Sequence, residues 1–439
     1  MTIRSSSDRD LLPTPMTRRR LLAQAGVLGA AGATPWLLTA CGGGDDRDFN
    51  RYAMTPLVAN KASYKAKFTE PEFVNAWGIA IRPAGAGGHF WVGAGGISWQ
   101  YVGDVRASAD PALRTLFQDG LKKVGIPGAD ARTDSASAGK VTGVLYNGAP
   151  LDSALFRVRD QPAGGQLLDG SARFIFVTDS GHVTAWTERA PGGGVVRVDG
   201  PAMDMYDGSA RGQMFFGAGI DERGWDRLWL ADFGADPQIR TLNAQWQPVP
   251  TQGFANPFAS GAGGRARPGD PVPFNIQMLG GKVYVAYAIS KAKAGQPGVF
   301  DAGEEDTLDA AAEAKANFKP AKGKVAEFTP DGRLLRVLGD AGALNAPWGL
   351  AIAPKDFGAL SGHLLVGNFG GAGRISAFDL ATGQYLDDLR DTAGQRFAVQ
   401  GMWGLQFGNG ASLGDANALY FAAGPEDEKD GLFGVLRLD

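Results

Sequence analysis

The chain has almost none of the histidines and cysteines that build transition-metal centres or covalent cross-links. Its 439 residues include one cysteine and three histidines. A single cysteine cannot close an internal disulfide, so packing alone must hold the fold. A transition-metal site needs clustered His or Cys ligands. His89 and His363 fall at equivalent places in a repeat, on the face opposite the candidate site described below, and cannot converge with His182 on one metal. Clustered positive charge is also lacking. The formal net charge is −3 and no basic run follows residue 20, which argues against nucleic acid as a partner. Beyond the N-terminal segment no apolar run is long enough to span a bilayer.

The first 40 residues read as an export signal. Paired arginines at Arg18, Arg19 and Arg20 precede an Ala- and Gly-rich apolar stretch, Leu21 to Leu38, interrupted by Pro35. A basic segment, a modest apolar segment and small residues at the end describe a signal peptide. The arginines resemble the twin-arginine type, and Met16 offers an alternative start. Leu38-Thr39-Ala40-Cys41 resembles a lipobox, with Cys41 as the lipidation site. Residues 41–50 then form a flexible polar tether. Glycine rather than aspartate follows the cysteine, which points to the periplasmic face of the outer membrane. Cleavage before Cys41 removes five arginines and two aspartates and leaves a net charge near −6.

Glycine is abundant, at 65 residues, and its placement is periodic. Asn75-Ala76-Trp77-Gly78-Ile79-Ala80-Ile81 returns as Asn345-Ala346-Pro347-Trp348-Gly349-Leu350-Ala351-Ile352, and again in degraded form from Met402 to Phe407. Self-similarity on this scale marks one supersecondary unit used repeatedly. Aligning the first strand of each unit places Gly78, Gly143, Gly217, Gly349 and Gly404 in one slot, with Ile276 filling it once. A second strand follows each time, such as Phe90 to Gly93 or Leu364 to Gly367, and then a third, such as Ile97 to Tyr101 or Ile375 to Phe378. Outer strands show at 334–338 and 385–389, behind the turn signals Asp331-Gly332 and Thr382-Gly383.

Six units of four short strands predict an all-β fold, a six-bladed β-propeller over residues 51–439. The last unit stops after its third strand, while Tyr52 to Ala59 reads as a fourth strand without a first three. The N-terminal strand therefore joins the last blade and closes the ring, satisfying an otherwise open edge. Two insertions interrupt the repeat, at 120–139 and 290–323. Within the second, Glu304 to Phe318 reads as a helix stopped by Pro320. The two segments read as lids over the channel mouth or as inert decoration.

The repeats resemble the NHL-type propeller repeat. From Asn50 onward the chain resembles an uncharacterised family of exported bacterial proteins with NHL-like repeats. The carrying motifs are the Asn75 and Asn345 segments, Pro273 to Ala288, Gly362 to Gly370 and Trp403 to Gly410. The resemblance implies a propeller and export, and no particular chemistry. Some members carry a C-terminal sorting tail, which is absent here; the lipobox would be the substitute anchor.

In a propeller the loop before strand one and the loop after strand two share a face. That face collects Asn75, Trp77, Thr142, Phe216, Asn275, Asn345, Trp348 and Trp403 from the first loop type, and Asp179, Asp232, Asn368 and Phe369 from the second. Rings beside amides and carboxylates suit a sugar or another polar ligand with an apolar face. The same residues have a plainer use: the tryptophans pack blade on blade, and Asp179, Asp232 and Asn368 make turns. Asp179, Asp232, Asn275 and Asn368 also supply the oxygens that calcium would take, an arrangement analogous in fold to six-bladed calcium-dependent lactonases. Asp179-Ser180-Gly181-His182 contains triad residue types, but sequence neighbours do not make a triad.

The expectation is a monomeric, lipid-anchored extracytoplasmic propeller without a required cofactor. It would bind a polysaccharide, peptide or envelope protein, with no catalytic residue assigned. The alternative is a calcium-dependent hydrolase with the metal in the central channel.

Overall fold

The computed structural model describes residues 49–129, 139–296, 299–302 and 319–439. The expected export signal, Cys41, most of the tether, the helix predicted over Glu304 to Phe318 and parts of both insertions lie outside these residues.

The described chain is a six-bladed β-propeller with each blade an antiparallel sheet. Blade one runs Ala76–Ala80, Phe90–Ala94, Ile97–Tyr101 and Lys123–Gly125 from axis to rim. Blade two is Val141–Tyr146, Phe174–Thr178, His182–Trp186 and Met203–Asp207; blade three is Phe215–Ile220, Arg227–Asp232, Gln238–Asn243 and Pro248–Val249. Blade four is Pro271–Leu279, Lys282–Ala292, Gly323–Phe328 and Leu334–Val337; blade five is Pro347–Ile352, Leu364–Asn368, Ile375–Phe378 and Tyr385–Asp388. Blade six takes three strands from the C-terminus, Met402–Phe407, Leu419–Ala423 and Leu432–Leu438, and its fourth from Tyr52–Ala59. That closing pair runs antiparallel from Tyr52 opposite Leu438 to Ala59 opposite Leu432. The Tyr52 hydroxyl donates to the Phe357 carbonyl at 2.7 Å, tying the closure to blade five.

The slot glycines have a steric cause. A Cβ on Gly78 would lie 2.7 Å from the Val144 backbone nitrogen of blade two, and one on Gly404 would run into the Trp77 carbonyl of blade one. Innermost strands approach so closely at the axis that a side chain there needs its own space. Apolar cores then fill the wedges between blades: Trp91 stacks on Phe174 at 4.1 Å between blades one and two, and Phe90 meets Tyr420 at 4.8 Å between blades one and six.

Three details differ from the sequence reading. Ile276 faces Val285 as Ile79 faces Val92, so Asn275, not Ile276, sits in the glycine slot of blade four. A register shift precedes the slot in every blade, so what conceals it in blade four is the change from glycine to asparagine. Lys123–Gly125, inside the presumed 120–139 insertion, is the outer strand of blade one; it also pairs in parallel with Gly200–Pro201. Blade two carries an unanticipated hairpin, Arg157–Ala163 with Gln166–Ser171, turning on Gly164-Gly165 with φ of 56° and 81°. Glycine supplies that left-handed turn at low steric cost.

Candidate functional site

The channel has two unlike ends. On the upper face, where the innermost strands begin, six residues precede the glycine slot: Trp77, Thr142, Phe216, Phe274, Trp348 and Trp403. The aromatic members converge. Trp77 stacks on Trp403 at 3.3 Å, Phe369 covers Trp403 at 3.9 Å, and Trp348 meets both Trp77 and Trp403 edge-on at 6.0 Å. Phe216 and Phe274 complete the plug. Trp77 and Trp403 are each 1 % exposed and Trp348 is 5 % exposed. The rings that the sequence reading offers to a ligand are occupied by one another.

The polar residues of this face hold loops. Trp403 Nε1 donates to Asn75 Oδ1 at 3.0 Å, and Asn75 Nδ2 donates to Glu428 at 3.0 Å. Glu428 pairs with Lys140 at 2.9 Å. Asp179, Asp232 and Asn368 each end a second strand and accept the backbone N–H of Lys140, Met214 and Asn345, which enter the first strand of the same blade. Asp232 also pairs with Arg240. Asn275 donates to the Trp348 carbonyl at 2.8 Å, joining blades four and five. The four residues proposed as calcium ligands therefore stand on four blades, each already hydrogen-bonded. Among the described residues no cluster of three or more His, Cys, Asp or Glu is arranged to hold a metal ion.

Asn75 and Asn345, twins in sequence, are not twins in space. Pro347 pairs with Asn368 as Ala76 pairs with Ala94, so Asn75 corresponds to Ala346. Both take left-handed backbone, at φ of 47° and 43°. Asparagine tolerates that region better than alanine.

Desolvation pushes the Asp179 carboxyl up to about 6; Lys140 opposes the shift and Glu428 adds to it. The histidines stay apart, His89 against Asp119 at 2.8 Å and His182 against Asp204 at 3.1 Å. One motif escaped the sequence reading. Gly410-Ala411-Ser412-Leu413-Gly414 has nucleophile-elbow spacing. Its strand runs into a loop whose 411, 412 and 413 N–H groups bond to Asn409 Oδ1, with no helix following, so the strand–turn–helix geometry is missing.

The lower end is open. A funnel of about 650 Å³ is lined by residues where the innermost strands end: Ile79 to Ala84, Val144 to Tyr146, Gly219, Ile220, Glu222, Trp225, Gln277 to Leu279 and Gln406 to Asn409. A constriction of about 20 Å³, walled by Gly78, Gly143, Ala218, Asn275, Gln277 and Gly404, lies above it. It is large enough for roughly one water molecule.

Arg82 reaches from the funnel wall to Glu188 in a bidentate pair, at 2.8 and 2.6 Å. Arg197 adds a 2.7 Å contact and Arg173 one at 3.5 Å. Three guanidinium groups thus surround one carboxylate that is 1 % exposed. Burial alone would raise the Glu188 pKa; hydrogen bonds and charge from Arg82 and then Arg197 outweigh it and hold it below the usual range. Across the funnel Glu222 makes no hydrogen bond or ion pair among the described residues. Desolvation by the surrounding protein, then the Asp221 charge, raises its carboxyl somewhat, although its surface is still wet. Trp225 is half-buried at φ 56°, while the adjacent Gly224 does not take that conformation. Its ring is seated on Gly148, where a Cβ would come within 2.5 to 2.9 Å of three ring atoms, and Tyr146 meets it edge-on at 6.2 Å.

No protein-family model matches the chain. It is similar to an uncharacterised protein of Acanthamoeba polyphaga mimivirus, 26% identical over 426 residues, which is 96% of this chain and 88% of that protein. A second uncharacterised protein of the same virus is 35% identical over 121 residues, 28% of this chain and 31% of its own length. Among solved structures, the Neurospora crassa Pan2 WD40 domain shares 12% identity with a TM-score of 0.38, covering 88% of this chain and 96% of that one. A Bacteroides caccae protein of unknown function shares 13% identity at a TM-score of 0.35, covering 79% and 82%. These relatives are viral and uncharacterised, and they do not confirm the exported bacterial family.

Proposed function

We propose that the chain is a non-catalytic binding module whose ligand seat is the lower funnel. The observation that carries this reading is the asymmetry of the channel. Packed rings close the upper end, while the lower end opens into a cavity with apolar walls and unpaired polar groups. Cavities of roughly 300–1,000 Å³ with a few convergent polar groups are the usual form of small-molecule sites. The ligand belongs among the polysaccharides, peptides or envelope proteins of an extracytoplasmic compartment, with the chain anchored by lipid on Cys41. The described chain starts on the funnel face, where the Phe49 carbonyl accepts from Ala359 N at 3.2 Å.

Hydrogen exchange of the full chain, with and without a mixed fraction of envelope glycans and peptides, tests the reading. Protection at 81–84, 219–226 and 406–409 is expected. Protection confined to 74–77, 345–348 and 400–403 would move the site to the upper face. Saturable calcium binding that raises the melting temperature would favour the hydrolase alternative.

A further inference from the structure

We infer that the funnel ligand is a neutral sugar, seated against the Trp225 ring and hydrogen-bonded by Glu222, Gln277 and Gln406; this rests on the funnel being a binding site. The first argument is conformational. A bulky residue in left-handed backbone is an outlier that persists where its surroundings impose it. Phe156, Trp246 and Phe254 share that conformation and are buried in blade cores; Trp225 is the one of these four that lines the funnel, and the glycine beside it does not take the conformation. A second glycine, Gly148, leaves the space the ring occupies. Two features that disfavour alternatives thus converge on one result: a fixed, half-buried indole on the funnel wall, braced by Tyr146. A flat apolar surface of this kind suits the C–H face of a pyranose ring.

The second argument is the balance of polar groups. Gln406 Nε2 donates to the neighbouring Phe407 carbonyl at 2.9 Å, which leaves its oxygen as an acceptor. Gln277 Oε1 receives only a long 3.5 Å contact from Asn275, which leaves its amide N–H groups as donors. Glu222 adds two further acceptor oxygens. Donors and acceptors together match hydroxyl groups, which are both.

The third argument is charge. Arg82 is the one cation lining the funnel among the described residues, and its guanidinium is committed to Glu188. An anionic ligand finds no unpaired partner. A cationic ligand finds Glu222, but also the excess positive charge of Arg82, Arg173 and Arg197 around a single carboxylate. A neutral polyol meets neither penalty.

Isothermal titration of the full chain tests this. The probes are cellobiose, maltose and diacetylchitobiose, with trilysine, triaspartate and trialanine as charged and peptide comparators. Binding of at least one neutral disaccharide is expected, weakened at least tenfold by Trp225→Ala and by Gln277→Leu. Gln277→Leu keeps the side-chain volume and should melt like the parent, so the test survives if Trp225→Ala fails to fold. If only trilysine, triaspartate or trialanine binds, and these substitutions still weaken it, the sugar assignment is overturned while the funnel stands as a binding site. If no probe binds, or binding ignores both substitutions, the sugar assignment and the funnel reading fall together.

Discussion

Trp77, Trp348 and Trp403 hold the same place in their blades but differ in one bond, so a Trp→Phe series separates packing from hydrogen bonding in the plug. Trp403 Nε1 donates to Asn75 Oδ1 at 3.0 Å and Trp348 Nε1 to the Phe216 carbonyl at 2.6 Å. Trp77 Nε1 is buried without a partner among the described residues. Each substitution removes ring volume from a packed site, a shared loss of about 1–2 kcal/mol. Trp403→Phe and Trp348→Phe also strand a buried acceptor, adding about 1–3 kcal/mol. Trp77→Phe instead removes a buried donor that has nothing to bond, which returns a similar amount and offsets the packing loss. The expected order is Trp77→Phe near the parent, with the other two about 2–5 kcal/mol less stable. Denaturant midpoints at unchanged m-value measure it. In a chain of this size, each kcal/mol corresponds to a shift of roughly one degree in melting temperature. A Trp77→Phe variant as unstable as Trp403→Phe would refute the assignment of the orphan N–H, and with it the account of the plug.

Glu188→Gln should cost about 3–5 kcal/mol, because three guanidinium groups lose their only shared carboxylate in a buried place. With its folded pKa depressed, Glu188 stabilises fully above its unfolded value near 4.5. That contribution is lost as pH falls through the lower folded pKa. The gap between parent and variant, followed by melting at stepped pH, should therefore be constant above about pH 5.5 and close below about 4.5. Removing residues 51–60 opens the edge of Leu432–Leu438 and should lower the melting temperature and promote association; a truncated chain that melts like the parent would contradict the closure. Asp179→Asn keeps the acceptor for the Lys140 N–H. The parent, with Asp179 raised to about 6, should lose stability as pH rises from 4 through 6, and the variant should show a flatter profile.

The fold is legible because its strongest constraints are chemical and local. Where innermost strands crowd the axis a Cβ collides with the next blade, so glycine recurs at that slot and announces the repeat. The unfilled fourth strand of the last unit likewise announces Tyr52–Ala59 as its partner. Less legible are a slot that holds asparagine, Asn275, where the other blades hold glycine, and the extra Pro347, which displaces the count by one residue so that Asn75 aligns in sequence with Asn345 although its spatial counterpart is Ala346. The Lys123–Gly125 strand is three residues long, and its flanking turn signals, Asp119-Gly120 and Pro127-Gly128, stand at the edge of and inside the stretch that reads as an insertion.

The site was harder to read for a reason that belongs to the fold itself. Side chains just before the slot point at a place where six strands converge, and that place must be filled, so the conspicuous tryptophans there are consumed by packing. Side chains at the far ends of the same strands stand where the blades splay, and need not touch one another. The residues of the proposed seat are thus the inconspicuous ones, Gln277, Gln406 and Glu222, together with a tryptophan outside the repeat. The Asp221 to Asp226 turn does hold a legible signal: a glycine followed by a bulky ring, between charged residues and directly after an innermost strand. In a propeller the repeat shows where packing is obligatory. Left-handed backbone alone does not mark function, because Phe156, Trp246 and Phe254 share it with Trp225 and are buried; what sets Trp225 apart is that it stays half-buried on the wall of an open cavity.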